Sequence, residues 1–276
     1  MLNAFIIVWR ESLEALLIIS VLLSWIARQP AIESAGLRRG LWLGVLGGIV
    51  LAMGLGYATF AVQSEFAGES LEIFQVIMVL SAAALILHMV LWMQQQGPNM
   101  KRQLENQATQ ARSTWGIAAI ATLAVAREGA ETVVFLYGLG LEGSGAALLS
   151  LLGAAGSGLL AAAATTWLAA RGAKHLNYRT LFRLSAILLL IIAHALLVSG
   201  VDRMIALDWL PALLDPAWDI SALLDDGHGL GRVLADFAGY RARPAATVLL
   251  ASAAFWFFAF WRMKPPAAPL ALAAKA

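Results

Sequence analysis

Apolar residues run along this chain in long blocks separated by short polar stretches. Seven blocks reach the roughly 20 residues that a helix needs to cross a hydrocarbon core. They are 4–27, 37–62, 71–93, 115–139, 145–170, 184–203 and 245–262. None alternates apolar and polar positions as a barrel strand would, so helices that satisfy their own backbone groups are the expected spanning form. The pattern predicts an all-α integral membrane protein with seven transmembrane helices.

Composition agrees with the pattern. Of 276 residues, 61% are hydrophobic and only 13% charged, against about 25% charged in a soluble domain. There is no cysteine, which excludes disulfides and thiolate metal ligands. The first block is not a cleavable signal, because charges stand where its apolar centre should be. No Gly-x-x-x-x-Gly-Lys loop is present, so nucleotide hydrolysis is not expected. The chain is read as a transporter and not as an enzyme.

The small net charge of +2 hides a strong asymmetry. Segments 28–39, 94–112, 171–183 and the tail from 262 hold 13 basic residues against Glu33 and Glu105. The opposite segments hold 11 acids against Arg203, Arg232, Arg241 and Arg243. Basic loops stay cytoplasmic, which predicts the N-terminus outside and the C-terminus inside. The basic pI follows from this membrane topology, and no nucleic-acid partner is implied.

Six charges remain, all within apolar blocks. "RESLE" carries Arg10, Glu11 and Glu14, and "REGAE" carries Arg127, Glu128 and Glu131. Both are Arg-Glu-x-x-Glu, one in the first block and one in the fourth, which run in opposite directions. Blocks two and five are both glycine-rich, and blocks three and six each carry one histidine, His88 and His194. The chain therefore divides as a first three-helix repeat (1–93), a cytoplasmic linker (94–114) and a second, inverted three-helix repeat (115–203). An acidic extracytoplasmic loop (204–243) and a seventh helix with a cytoplasmic tail (244–276) follow. A 3+3 inverted repeat is an architecture of secondary transporters, whose sites lie near the midplane between the repeats.

Residues three and four apart share a helix face. Glu11 with Glu14 and Glu128 with Glu131 therefore converge if the two helices face each other. Four carboxylates and two guanidinium groups sum to −2, which is very unfavourable in low dielectric without a cation. Carboxylate oxygens suit a hard ion, Fe(III), Mg, Ca or Mn by ligand type alone. Arg10 and Arg127 cannot deprotonate and would organise the carboxylates through charge-assisted hydrogen bonds. Against this stands the reading that the Arg–Glu pairs are structural locks of a membrane scaffold or sensor.

With these motifs and this topology, the chain resembles the oxidase-dependent high-affinity iron permeases, the fungal plasma-membrane permease and its bacterial EfeU-type relatives. The stretch "LLDPAWDISALLDDGHGLGRVLADFAGYRARPA" also looks like that family's loop before its last helix, through Trp218-Asp219, Gly239-Tyr240 and Pro244. The resemblance implies a bacterial inner-membrane permease that moves iron inward, as Fe(III) supplied by a partner. Glu11, Glu14, Glu128 and Glu131 would bind the metal. The chain begins directly on its first span, so the ferroxidase, cupredoxin or iron-binding protein of the periplasm is expected to be a separate chain. Iron is then cargo, and no permanently bound cofactor is expected. Some relatives are described as lead permeases, so lead or manganese remain alternative cargoes.

Other residues have plainer readings beside functional ones. Glu69 and Glu72 share a face at the outer start of block three and could capture iron, or simply favour a helix N-terminus. Asp219 is a third candidate for outer capture, in a loop whose acids could also funnel cations. His88 and His194 could line an exit path or be hydrogen-bonded packing residues. Asp202 and Arg203 read as a local pair, and the ten tryptophans as an interfacial belt. The Gly40-x-x-x-Gly44-x-x-x-Gly48 spacing reads as close helix packing.

Overall fold

The structure, a computed structural model, describes residues 2–96, 100–139, 146–171 and 178–263. Glu142, Lys174, Lys264 and Lys275, which enter the loop-charge argument above, lie outside the described residues. The described residues form helices α1 (Leu2–Ala27), α2 (Ala31–Ser64), α3 (Glu69–Gln96), α4 (Met100–Gln110), α5 (Thr114–Gly138), α6 (Ala146–Ala170), α7 (Tyr178–Ala206), α8 (Gly229–Ala238) and α9 (Ala246–Met263). No strand occurs among them.

Five helices, α2, α3, α6, α7 and α9, are long and apolar enough to cross a membrane. The protein is a multi-pass membrane protein. Helices α1 and α5 are 26 and 25 residues long, as long as a span requires. They fail the apolar criterion for one reason. Every 18-residue stretch of either includes the three charges of its Arg-Glu-x-x-Glu motif.

These two charged helices occupy the centre. α1 packs chiefly on α6 and α5 chiefly on α2, while α1 and α5 also touch each other. α3 pairs with α7, and α9 with α7. The largest apolar cluster joins Ile6 and Ile7 of α1 to Val79, Ile86 and Met89 of α3. It also takes in Phe135 of α5, Leu189 and Ile192 of α7 and Phe255 of α9. A second cluster ties the inner ends of α1, α2, α4 and α5 through Leu22, Trp25, Leu41, Leu104 and Ile117. In contrast, α2 and α6 show broad apolar faces outward, including Leu46, Met53 and Phe60, and Leu149 and Leu160. In a bilayer those faces meet lipid tails, which carry no penalty for apolar side chains.

The glycines of α2 explain how α5 comes so close. A Cβ at Gly40, Gly44 or Gly48 would collide with the Thr114 carbonyl, the Ala118 carbonyl and the Val125 side chain. Thr122 Oγ1 then donates to the Gly44 carbonyl at 3.1 Å. On the other side of the core, Gly158 of α6 lies against the backbone at Phe5 and Trp9 of α1. Gly153 and Gly156, which look equivalent in the sequence, face open space.

Both polar connections carry structure of their own. The linker holds α4, whose Leu104 and Ala108 are buried against the motif helices. Trp25 Nε1 donates to Thr109 Oγ1 at 3.2 Å. Arg28 pairs with Glu105 at 2.6 Å and Arg112 with Glu33 at 2.8 Å, so the Arg28 guanidinium holds the Glu105 carboxyl below its ordinary range. The outer loop holds α8, which ends at Gly239 with φ 73°, a left-handed turn that suits glycine. A Cβ there would press on Ala195 and on His194 Nδ1 of α7. Asn3 Nδ2 of α1 donates to the Asp236 carbonyl of α8 at 2.6 Å, fixing the start of the first motif helix to this loop.

One local reading is corrected. Asp202 and Arg203 do not pair with each other. Asp202 binds Arg241 of the outer loop at 2.6 Å, and Arg203 donates to Gln75 Oε1 of α3. Neighbours in sequence on a helix point about 100° apart, so each finds a partner on a different element.

The packing yields a test. Gly44→Ala should cost about 1–3 kcal/mol through overpacking against α5, whereas Gly153→Ala should be neutral or slightly stabilising. Thermal unfolding of the two detergent-solubilised variants, followed by size-exclusion, separates them. Equal melting points would count against the close α2–α5 contact.

Candidate functional site

The two motifs meet at the α1–α5 contact. Glu11, Glu128 and Glu131 each bring a carboxylate oxygen into one group, all within 4.8 Å of one another. Glu11 is 1% exposed and Glu128 6%. Glu11 Oε2, Glu128 Oε2 and Glu131 Oε2 are buried and accept no hydrogen bond from the protein. Buried carboxylate oxygens without a donor are costly, and a cluster of them is a ready cation site.

Glu14, the fourth expected ligand, stands outside that group. It is ion-paired with Arg10, one helical turn beyond Glu11. Its Oε1 is buried and is the atom that the Arg10 guanidinium holds. The structure therefore brings three of the four motif glutamates together and leaves the fourth on the arginine.

The two arginines differ. Arg10 is fully buried. Its Nη1 donates to Glu11 Oε1 at 3.0 Å and its Nη2 pairs with Glu14. Arg127 is half-exposed and its Nε donates to Glu131 Oε1 at 3.0 Å. Each arginine thus grips its own motif, as the i,i+4 spacing allows.

A third helix completes the surroundings, with no motif of its own to announce it. Arg10 Nη1 also donates to Met89 Sδ, and Nη2 to Met93 Sδ at 2.9 Å. The Arg127 guanidinium lies over the Trp92 ring, 5.0 Å from its centroid. Met89, Trp92 and Met93 share one face of α3. Their signal in the sequence was only the i, i+3, i+4 spacing of residues that read as ordinary apolar positions or belt tryptophan. Trp115, Trp209 and Trp261 remain exposed, as belt residues should.

Glu11 lies nine residues from the start of α1, and Glu128 ten residues from the end of α5. At 1.5 Å per residue both sit about 14–15 Å from those helix ends. The two motifs are therefore at one level although their helices run oppositely.

The remaining candidates lie elsewhere. Glu69 and Glu72 are exposed in the first turn of α3. Asp219 pairs with Arg243 at 3.0 Å and accepts from Ser221 Oγ at 2.6 Å and Ser221 N at 3.0 Å. Hydrogen bonds from Ser221, and then Arg243, hold its carboxyl at about 2. Asp225 is held below its ordinary range by the Gly227 N–H and by His228. These aspartates are engaged in shaping the loop. His194 Nδ1 lies 2.9 Å from the Ala238 carbonyl and its ring contacts Phe255 and Trp256. It is a hydrogen-bonded packing histidine joining α7, α8 and α9. His88 is exposed on α3.

Comparison with known proteins agrees with the motifs. The model of the iron permease FTR1 family matches residues 1–269. The chain belongs to that family. A relative from Escherichia coli O6:H1 (strain CFT073), named ferrous iron permease EfeU, is 29% identical over 258 residues, covering 92% of this chain and 90% of its own. A protein of the same name from Yersinia pestis is 28% identical over 250 residues, covering 88% and 86%. Relatives are thus named as permeases, which are transporters. No solved structure matches the chain.

Two tests follow from the geometry. Arg10→Ala leaves two buried glutamates without their cation and should cost about 3–5 kcal/mol. Arg127→Ala, at a half-exposed pair, should cost about 1 kcal/mol or less. Melting points of the purified variants check the difference, and similar losses would contradict the unequal burial. The second concerns the outer loop. The folded-state value of Asp219 lies below its ordinary 3.8, so its contribution is full above that value and is lost as pH falls through about 2. Limited proteolysis of the loop should therefore stay slow at pH 4 and accelerate near pH 2, with Asp219→Asn cleaved readily at both.

Proposed function

We propose that this protein is an iron permease of the bacterial inner membrane that carries iron inward through the carboxylate cluster of its two Arg-Glu-x-x-Glu motifs. The observation that carries the reading is the set of three buried, donor-free carboxylate oxygens on Glu11, Glu128 and Glu131. Membership of the iron permease family and the names of the EfeU relatives supply the cargo.

In this reading the ion displaces nothing from the protein, because the oxygens it needs are already unpaired. Glu14 is a fourth ligand one turn deeper, reached when Arg10 yields it. Arg10 and Arg127 offset two of the four negative charges and fix one oxygen of each partner glutamate. Hard oxygen donors favour Fe(III), which a separate periplasmic ferroxidase or iron-binding protein would deliver. Glu69, Glu72 and Asp219 would take part in outer capture, with Asp219 exchanging Arg243 for the ion. Iron is cargo here and no resident cofactor is required.

The same reading makes α1 and α5 true spans, giving seven, with the N-terminus outside. The exchange of partners supports a 3+3 inverted repeat. α1 takes α6 as its chief neighbour and α5 takes α2, which is what a two-fold axis relating the halves would produce.

The test is radioactive iron uptake by iron-starved cells at matched protein level, offering Fe(II) and Fe(III) in turn. Glu11→Gln and Glu128→Gln should each lower uptake about tenfold or more, and Glu→Asp changes should also impair it because reach matters at a metal site. Normal uptake by a folded Glu11→Gln protein would mean that the motif is a structural lock of a scaffold or sensor. Loss of manganese or lead transport with iron unaffected would reassign the cargo.

A further inference from the structure

One turn of α3 touches both motif arginines. We infer that Met89, Trp92 and Met93 are positioning residues that hold the Arg10 and Arg127 guanidinium groups off the ion-facing carboxylate oxygens. The inference rests on the carboxylate cluster being the ion site.

The argument starts from the donors of Arg10. A guanidinium offers five N–H groups in a fixed fork. Arg10 is fully buried, so its donors depend on acceptors from the protein, and its Nε finds none. Its glutamates supply Glu11 Oε1 and one contact with Glu14. The next acceptors are the thioethers of Met89 and Met93, four residues apart on one face of α3. A thioether is a weak, uncharged acceptor. It satisfies a donor without competing with a carboxylate and without adding negative charge.

The alternative acceptors are close at hand. Glu11 Oε2, on the carboxylate that Arg10 already holds through Oε1, is buried and unpaired, as is Glu128 Oε2 of the facing motif. Arginine prefers bidentate pairing with a carboxylate. Without the sulfurs, Arg10 would turn onto those oxygens and occupy the positions an ion must take. Trp92 acts on Arg127 in the same way. The ring face attracts the guanidinium and Arg127 reaches Glu131 through Nε alone, which leaves Glu131 Oε2 unpaired.

Acceptor chemistry and packing predict opposite results at Met93, which is only partly buried. Leucine keeps the volume and removes the acceptor. Glutamine keeps an acceptor at similar reach but places an amide among apolar groups. Iron uptake would be measured over a range of iron concentrations, at matched levels of monodisperse protein, with Glu11→Gln as control. Met93→Leu should raise KM about tenfold with little change in maximal rate, the size expected for one hydrogen bond to a charged group. Met93→Gln should bring KM back toward wild type. At the second arginine, Trp92→Leu should raise KM while Trp92→Phe, which keeps a ring face, should not. That pair of variants carries the test if the Met93 variants do not accumulate. An unchanged KM in Met93→Leu, or a Met93→Gln protein as impaired as Met93→Leu, would overturn the positioning role. Normal uptake in the Glu11→Gln control would instead remove the ion site itself.

Discussion

The interior of this protein carries four carboxylates and two guanidinium groups in a slab where each isolated charge costs several kcal/mol. Almost every other feature answers that constraint. The charged helices α1 and α5 are at the centre, where neighbours can screen them, and α2 and α6 turn broad apolar faces outward. Glycines at 40, 44 and 48 let α2 cover α5 closely enough to exclude lipid. Unpaired buried polar atoms occur elsewhere too, at Gln63, Thr166 and His194. Glu11, Glu128 and Glu131 differ in that each keeps one buried oxygen unpaired and all three bring a carboxylate oxygen into one small group.

The two motif copies are the same in sequence and unequal in setting. Arg10 is enclosed by α3 and pairs with two glutamates. Arg127 is half-exposed, pairs with one and rests on a tryptophan. Three glutamates gather around the unpaired oxygens while Glu14 stays with Arg10. The asymmetry comes from α3, which packs across both motif helices but presents two sulfurs to one arginine and a ring to the other. An ion entering this arrangement would meet a three-oxygen site first and a fourth oxygen only after Arg10 shifts.

Much of this was legible in the chain. The all-helical character and the approximate limits of the long helices followed from apolar block length, because a membrane leaves the backbone few choices. The six charges of the two motifs declared themselves by breaking those blocks. What sequence could not show was contact between distant segments. Asp202 looked like the partner of Arg203, yet it binds Arg241, 39 positions away. The linker looked featureless because its one apolar stripe, Leu104 and Ala108, is two residues wide. Met89 and Met93 read as ordinary apolar positions and Trp92 as a belt residue, since a thioether counts as apolar and a tryptophan near a span end suits the interface. Their role is set by what lies opposite. Gly153 and Gly156 misled in the other direction, matching the α2 glycines in type and facing open space.

The crosswise packing carries a last consequence. Within the first half of the chain, α1 has its main cover not from α2 or α3 but from α6, and in the second half α5 takes its main cover from α2. Each charged helix is therefore shielded by a small-residue helix that belongs to the other half. Neither half alone could bury its arginine and glutamates without leaving them against lipid. Charge neutralisation is divided in the same way, because Glu11 of one half shares its group with Glu128 and Glu131 of the other. The site and the fold are thus one requirement: closing the two halves on each other both assembles the carboxylate cluster and removes its charges from the hydrocarbon. A contact that loosens this closure exposes charge, and the interface is held by backbone-level packing at Gly44, Gly48 and Gly158, since the motif ion pairs each lie within a single helix.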